Sequence, residues 1–312
     1  MQVSRMESVE KSLEHIGKEE MADILKIQSA AMKAVHDYMW EKGVLMSNPV
    51  MLSTVTDPLN HQIHDSSIEY KGKRLELTKS MILHKQLAIS RGSIKGIYIV
   101  SPNVRLERDE EAESGRHLLE FSQVDIELRD ARLEDFMRFM EALYVHVVKY
   151  VKSECGPELE RLGRELVVPS EFKVYKSGEL EREYGPDYEK IVSKKESVPF
   201  WILGHKREFY DKEDKESGEH INYDFVYPEG FGEALSGGER EHEYARILEK
   251  MEERGTKPDD FAPYLHAAQL GALAPSAGGG FGVERLVRFL CGKKHVREVV
   301  LFPKVPGDEV VF

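Results

Sequence analysis

VRLERDEEAESGRHLLEFSQVDIEL, residues 104–128, is the stretch that decides the fold. With its upstream flank it reads as two strands, 97–107 (IYIVSPNVRLE) and 118–128 (LLEFSQVDIEL). Charged residues 108–117 join them, which predicts an antiparallel hairpin. Side chains alternate along a strand, so Arg105 and Glu107 share one face and Val104 and Leu106 the other. On the second strand Phe121, Gln123, Asp125 and Glu127 lie opposite Val124, Ile126 and Leu128. The apolar face belongs on a core. The polar face fits either of two roles: a solvated surface, or a floor for a charged, planar ligand. In the second role Arg pairs with phosphate, Phe stacks on a base and Glu accepts from an exocyclic amine.

Working outward, helices are predicted near 19–42, 131–152 (with Asp130 as cap), 240–254 and from 283. Shorter strands are expected at 49–55, 73–78, 199–204, 221–227, 231–236 and 299–302. Segment 153–198 is charged, with scattered Gly and Pro, and reads as an insertion of loops and short helices. Helices with mainly antiparallel strands, not alternating βαβ units, give an α+β class. One catalytic domain over 1–312 is expected.

Composition narrows the function. The chain has 312 residues, 41% hydrophobic and 32% charged, with a net charge of −12. That balance argues against a phosphate backbone as the main partner. Two cysteines, Cys155 and Cys291, make no disulfide framework and suit a reducing compartment. No apolar run reaches the roughly 18 residues of a membrane span, and the polar N-terminus is no secretory signal. A cytoplasmic protein is the expectation.

Three further segments carry chemistry. Gly278-Gly279-Gly280-Phe281-Gly282-Val283-Glu284-Arg285 permits close backbone approach and leads into a helix with an arginine in its first turn. It fits a tight strand-to-helix packing point or a ligand site. It is neither a GxGxxG fingerprint nor a P-loop. In Gly232-Glu233-Ala234-Leu235-Ser236-Gly237-Gly238-Glu239-Arg240, Glu233 and Ser236 offer hard oxygens for Mg²⁺, and Arg240 a fork for a carboxylate. A surface turn and a helix start explain the same residues. Lys85 lies in the Ser-started helical stretch 80–86 (SMILHKQ), which alone also reads as a capped helix with surface lysines. Zinc spacing, HExxH and GxSxG are absent, and SxxK at Ser170–Lys173 stands alone.

Taken in order, these segments resemble class II aminoacyl-tRNA synthetases of the aspartyl/asparaginyl type. GVLMSNPVML at 43–52 looks like motif 1, with Pro49 as its proline. VRLE…GRHLLEFSQVDIEL looks like motif 2 and GGGFGVERLVRFL like motif 3. SMILHKQ and GEALSGGER are similar to the amino-acid-pocket and Gly-Glu-x-x-Ser-Gly-x-x-Arg segments. Motif 1 arrives by residue 43, so the resemblance is to a core without the anticodon-binding domain. It is especially close to the archaeal asparagine synthetases related to these enzymes, through 77–89 and Pro-Ser-Ala-Gly at 275–278. Ser276 stands where synthetases usually have His. Two departures stand out: Ile82 replaces a Gln, and no Glu-Gly-Gly loop is recognisable in 57–70, whose acids are Asp57, Asp65 and Glu69.

The resemblance implies a ligase making asparagine from aspartate, ATP and ammonia through an aspartyl-adenylate, releasing AMP and pyrophosphate. The alternative it implies is a truncated synthetase that aminoacylates tRNA or another carrier. It implies ATP contacts from Arg105, Glu107, Arg116, His117, Phe121, Glu233 and Arg285, with Arg105 on the α-phosphate. Ser80, Lys85, Gln123, Asp125 and Arg240 would hold aspartate; Asp224, Glu233 and Ser236 would hold Mg²⁺. A homodimer through motif 1, with no tRNA and no membrane partner, is expected. The missing N-terminal cysteine of a glutaminase points to free ammonia.

Overall fold

The computed structural model describes residues 2–90 and 92–312; Met1 and Arg91 lie outside it. The chain runs α1 (Gln2–Ile16), α2 (Glu19–Glu41), β1 (Leu45–Ser47), β2 (Leu52–Ser53), β3 (Ser67–Tyr70), β4 (Lys73–Leu77), α3 (Ile82–Ala88), β5 (Gly96–Val104) and β6 (Glu120–Arg129). Then come α4 (Leu133–Glu154), α5 (Gly156–Arg161), β7 (Val174–Lys176), α6 (Ser177–Tyr184), α7 (Tyr188–Lys195), β8 (Phe200–Leu203), β9 (Asn222–Tyr227) and β10 (Gly232–Glu239). It ends with α8 (Tyr244–Arg254), α9 (Ala262–Gln269), β11 (Ser276–Gly282) and α10 (Val283–Leu290).

An eight-stranded sheet, β1-β5-β6-β11-β10-β9-β8-β7, forms the frame. Its interior is antiparallel, as expected; β1–β5 and β7–β8 are parallel pairs at its two ends. The small sheet β2-β4-β3 lies apart. The hairpin is present, with Val104 opposite Glu120 and Ile99 opposite Asp125. Val124 and Ile126 are fully buried in the main apolar cluster, beside Ile27 and Val35 of α2, Phe136 and Val147 of α4, and Leu286 of α10. A second cluster on α3, α8 and α9 (Leu83, Ile247, Met251, Tyr264) closes the other side.

Several expectations need correction. The first hairpin strand stops at Val104, so Arg105 and Glu107 belong to the following loop. Helix α4 is not capped by Asp130, which sits at φ 60. Asp135 accepts from the Arg132 N–H at 3.0 Å, and Glu239 from the Leu133 N–H at 3.0 Å. The third helix begins at Tyr244, and 299–302 forms no strand. Segment 153–198 supplies β7 to the main sheet as well as three short helices.

The glycine run is itself a central strand, β11, between β6 and β10. Glycine is required there by space. A Cβ at Gly278 would lie 2.0 Å from Glu127 Oε2 and 2.4 Å from the Ile126 carbonyl. A Cβ at Gly237, across the ladder, would lie 2.2 Å from the Gly278 carbonyl.

Candidate active site

A cavity of about 310 Å³ opens on the polar face of β6, β10 and β11. Every residue expected to bind ATP or aspartate lines it: Arg105, Glu107, Arg116, His117, Phe121, Glu233 and Arg285 at one end, and Ser80, Lys85, Gln123, Asp125 and Arg240 at the other. This decides the alternative left by the strand pattern. Asp125 is 2% exposed and Glu127 0%, so the polar face is a buried floor and not a solvated surface.

The first end is rich in guanidinium groups. The Arg105 guanidinium carbon lies 5.1 Å from the Phe121 ring centroid, while its Nε donates to the Lys79 carbonyl at 3.0 Å. Glu233 lies 3.6 Å from Arg285 and 3.5 Å from Arg116. Burial raises its pKa, but Arg285, Arg116, Arg207 and Arg105 outweigh that and hold it at about 2. Arg285 and Arg116 thus converge on Glu233, with Glu189 beside Arg116 at 3.4 Å as a second carboxylate. Burial and then Arg116 push Arg285 down to about 10. Such a set favours an added polyanion. His117 is lowered to about 4 by burial and Arg285, so it is neutral at pH 7 and carries a single ring N–H; its Nδ1 lies 3.0 Å from Glu111 Oε2. Glu107 is occupied: His61 Nε2 lies 2.9 Å from its Oε2.

At the second end, buried charges are interlocked. Lys85 Nζ donates to Asp125 Oδ1 at 3.0 Å and the Gly279 carbonyl at 3.1 Å, and lies 3.6 Å from Glu127. Arg240 donates to Glu127 Oε1 and Asp211 Oδ1, each at 3.1 Å, and Ser276 donates to Glu127 at 2.8 Å. Ser80 donates to Asp57 at 2.8 Å, and Tyr210 to the same carboxylate at 3.2 Å. Gln123 accepts from Asn103 at 2.9 Å, which aims its amide along the floor. Gly280 keeps this floor open: a Cβ there would lie 2.4 Å from Gln123 Nε2 and 2.6 Å from Asp125 Oδ1.

The expected metal ligands are placed differently from one another. Glu233 and Ser236 line the cavity; Asp224 pairs in register with Ser236 from β9 and does not line it. Arg207 donates to both Ser236 Oγ and Asp224 Oδ2. The reading of Asp224 and Ser236 as open ligands is therefore corrected: a guanidinium already engages one oxygen of each. Asp224 Oδ1 remains buried without a hydrogen-bond partner among the described residues. Those residues contain no group of three or more acidic, His or Cys side chains that could hold a metal alone. The donors fit a Mg²⁺ brought in by nucleotide phosphates and held by one or two carboxylates.

Sequence reasoning missed His61, Arg207, Glu208, Tyr210 and Asp211, all of which line the cavity. They lie on irregular segments between strands, where no periodicity marks them. It also missed Glu189 on α7, which accepts from Arg116 at 3.4 Å and from the Glu233 N–H at 3.0 Å.

The comparisons with known proteins agree with this geometry. The family model "tRNA synthetases class II (D, K and N)" matches residues 5–306. The aspartate–tRNA(Asp/Asn) ligase of Methanopyrus kandleri is 32% identical over 92% of this chain and 68% of its own length. The asparagine–tRNA ligase of Thermococcus gammatolerans is 28% identical over 94% of this chain and 71% of its own. The asparaginyl-tRNA synthetase of Pyrococcus horikoshii, solved with asparaginyl-adenylate, superposes with a TM-score of 0.86 at 25% identity, covering 96% of this chain and 72% of that one. No helix among the described residues is long and apolar enough to cross a membrane. The α+β frame, the cavity on its polar face and these matches together make the chain a member of the class II tRNA synthetase family of the D, K and N type.

Proposed function

We propose that the cavity adenylates aspartate. The observation that carries this reading is the group of guanidiniums around Glu233, an anion site beside the Arg105–Phe121 pair. ATP lies with its base near Phe121 and Glu107 and its phosphates toward Arg105, Arg116, His117 and Arg285. An aspartate carboxylate attacks the α-phosphorus, and the bond to pyrophosphate breaks. Arg105 meets the charge that develops there; Arg285, Arg116 and neutral His117 hold the leaving pyrophosphate. Lys85 and Arg240, through N–H groups not used by Asp125, Glu127 and Asp211, fix the other carboxylate. Mg²⁺ arriving with the nucleotide would be held by Glu233 and the unpartnered Asp224 Oδ1, and would supply charge neutralisation on the phosphates. No general base is required for this half-reaction, since positioning and charge complementarity supply the acceleration.

The acyl group then passes to an acceptor with release of AMP. The relatives support a tRNA acceptor best, since those named above are tRNA ligases. Ammonia is the second reading: it attacks the acyl carbon, AMP leaves, and asparagine forms with loss of a proton. Ser276, bound to Glu127 in the floor, and the net charge of −12 support it. The test has two stages. Aspartate-dependent exchange of pyrophosphate into ATP checks adenylation, and its absence sinks the proposal. Labelled aspartate supplied with tRNA or with ammonium then yields either acid-precipitable label or free asparagine, which identifies the acceptor.

A homodimer belongs to the same proposal. Leu45 and Met46 on β1, an edge strand of the large sheet, are 52% and 57% exposed, and nearby Trp40 is 85% exposed. Exposed apolar edges of this kind call for a partner.

A further inference from the structure

We infer that Glu208 is the seat of a small nitrogen cation, either an ammonium ion or the ammonium group of the amino-acid substrate, in the second end of the cavity. The inference rests on the adenylation reading and deepens it. Carboxylates lining the cavity are otherwise satisfied. Asp57 accepts from Ser80 and Tyr210, Glu107 from His61, Asp125 from Lys85, and Asp211 from Arg240 and Asn222. Glu233 faces Arg116 and Arg285, and Glu284 accepts from the Ser122 N–H. Glu208 lines the same cavity, yet among the described residues no other side chain hydrogen-bonds or ion-pairs with it.

Its surroundings fit a cation. Asp57 and Asp211 are its acidic neighbours, Arg207 precedes it, and the Tyr210 hydroxyl is committed to Asp57. Burial, with Asp57 and Asp211, pushes the Glu208 carboxyl up to about 7. A bound cation reverses the balance by favouring the ionised form, so a proton leaves Glu208 as the cation arrives. Lys85 and Arg240 are turned onto Asp125, Glu127 and Asp211, so neither supplies the missing charge.

The test compares wild type with Glu208→Gln and Glu208→Asp. Aspartate and ammonium chloride are the probes, in calorimetry, in pyrophosphate exchange and in asparagine formation. An unchanged KM for ATP and an unchanged circular dichroism spectrum show that the variants keep the fold. If the seat takes the substrate's ammonium group, Glu208→Gln weakens aspartate about tenfold in binding and in exchange, and Glu208→Asp restores part of the loss. If it takes free ammonium, aspartate is unaffected and the KM for ammonium rises about tenfold. In either case binding at pH 7 releases protons in the wild type, seen as heats that depend on the buffer, and this release is lost in Glu208→Gln. Unchanged affinities for both probes overturn the inference while leaving adenylation standing. A wild type without exchange removes the adenylation reading; calorimetry still decides Glu208, because binding lost in Glu208→Gln supports the seat and binding unaltered or absent overturns it.

Discussion

His61 and Glu107 form a pair whose consequence is set by pH. The hydrogen bond that His61 donates to Glu107 raises the His61 pKa above its ordinary 6.5, against the opposing effect of burial. The pair is therefore fully formed below about pH 6.5 and is lost as pH rises through the higher folded value. In the proposed complex the adenine amine needs the same Glu107 carboxylate. ATP must then displace a charged imidazole at low pH and a neutral one at high pH. The KM for ATP is expected to rise about threefold from pH 8 to pH 6, near what a half-exposed ion pair is worth. His61→Ala should flatten that profile and lower KM at pH 6; an unaltered slope in steady-state kinetics contradicts the competition. Lys85 tests the opposite kind of pair, one that is 1% exposed. Lys85→Met leaves Asp125 without its cation, and removing one member of a buried pair costs about 3–5 kcal/mol. Urea denaturation should show that loss, and aspartate-dependent exchange should vanish with it.

At the scale of elements, β11 shows why a strand made largely of glycine sits at the centre of the sheet. Backbone, carboxylate and amide groups crowd both its faces. Gly278→Ala drives a methyl into the Ile126 carbonyl and Glu127, and should cost at least about 2 kcal/mol by denaturant unfolding. Gly156→Ala, with nothing within 4 Å of the added carbon, is the control expected to be neutral. Gly280→Ala meets the ends of Gln123 and Asp125, so its expected signature is a raised KM for aspartate with a smaller loss of stability. This strand also marks the limit of what the sequence discloses. Alternation of Phe121, Gln123 and Asp125 against Val124 and Ile126 announces β6, because one face meets the polar cavity and the other the apolar core. Glycines cannot alternate, so β11 left only the hint of close approach. The motif residues were legible through the order of their segments and the resemblance it carries; period alone put Arg105 and Glu107 on a strand that stops at Val104. His61, Arg207 and Glu208 were not, because loop backbone carries no period and only tertiary packing brings them to the cavity.

For the whole molecule, the question is what covers β1. The strand pairs with β5 on one side only, and as the sheet's end it offers its other edge to solvent. Leu45, Met46 and Trp40 surround that edge, with Met51 and Leu52 at 41% and 43% exposure further along the chain. A lone copy would leave unpaired backbone groups beside apolar side chains, an arrangement that invites strand-to-strand association. Two-fold pairing of the same patch covers both at once, because an isologous contact is self-complementary. Stable interfaces bury about 1,200–2,000 Å² in total, so the contact must extend beyond β1 to its neighbours on α2 and β2. Static light scattering at micromolar concentration should therefore give twice the 35.8 kDa chain mass. Met46→Lys places a like charge from each copy near the same axis and should shift the mass toward one chain without altering the isolated fold by circular dichroism. A wild-type chain that scatters as a monomer contradicts the dimer. A Met46→Lys protein that remains dimeric moves the interface away from β1.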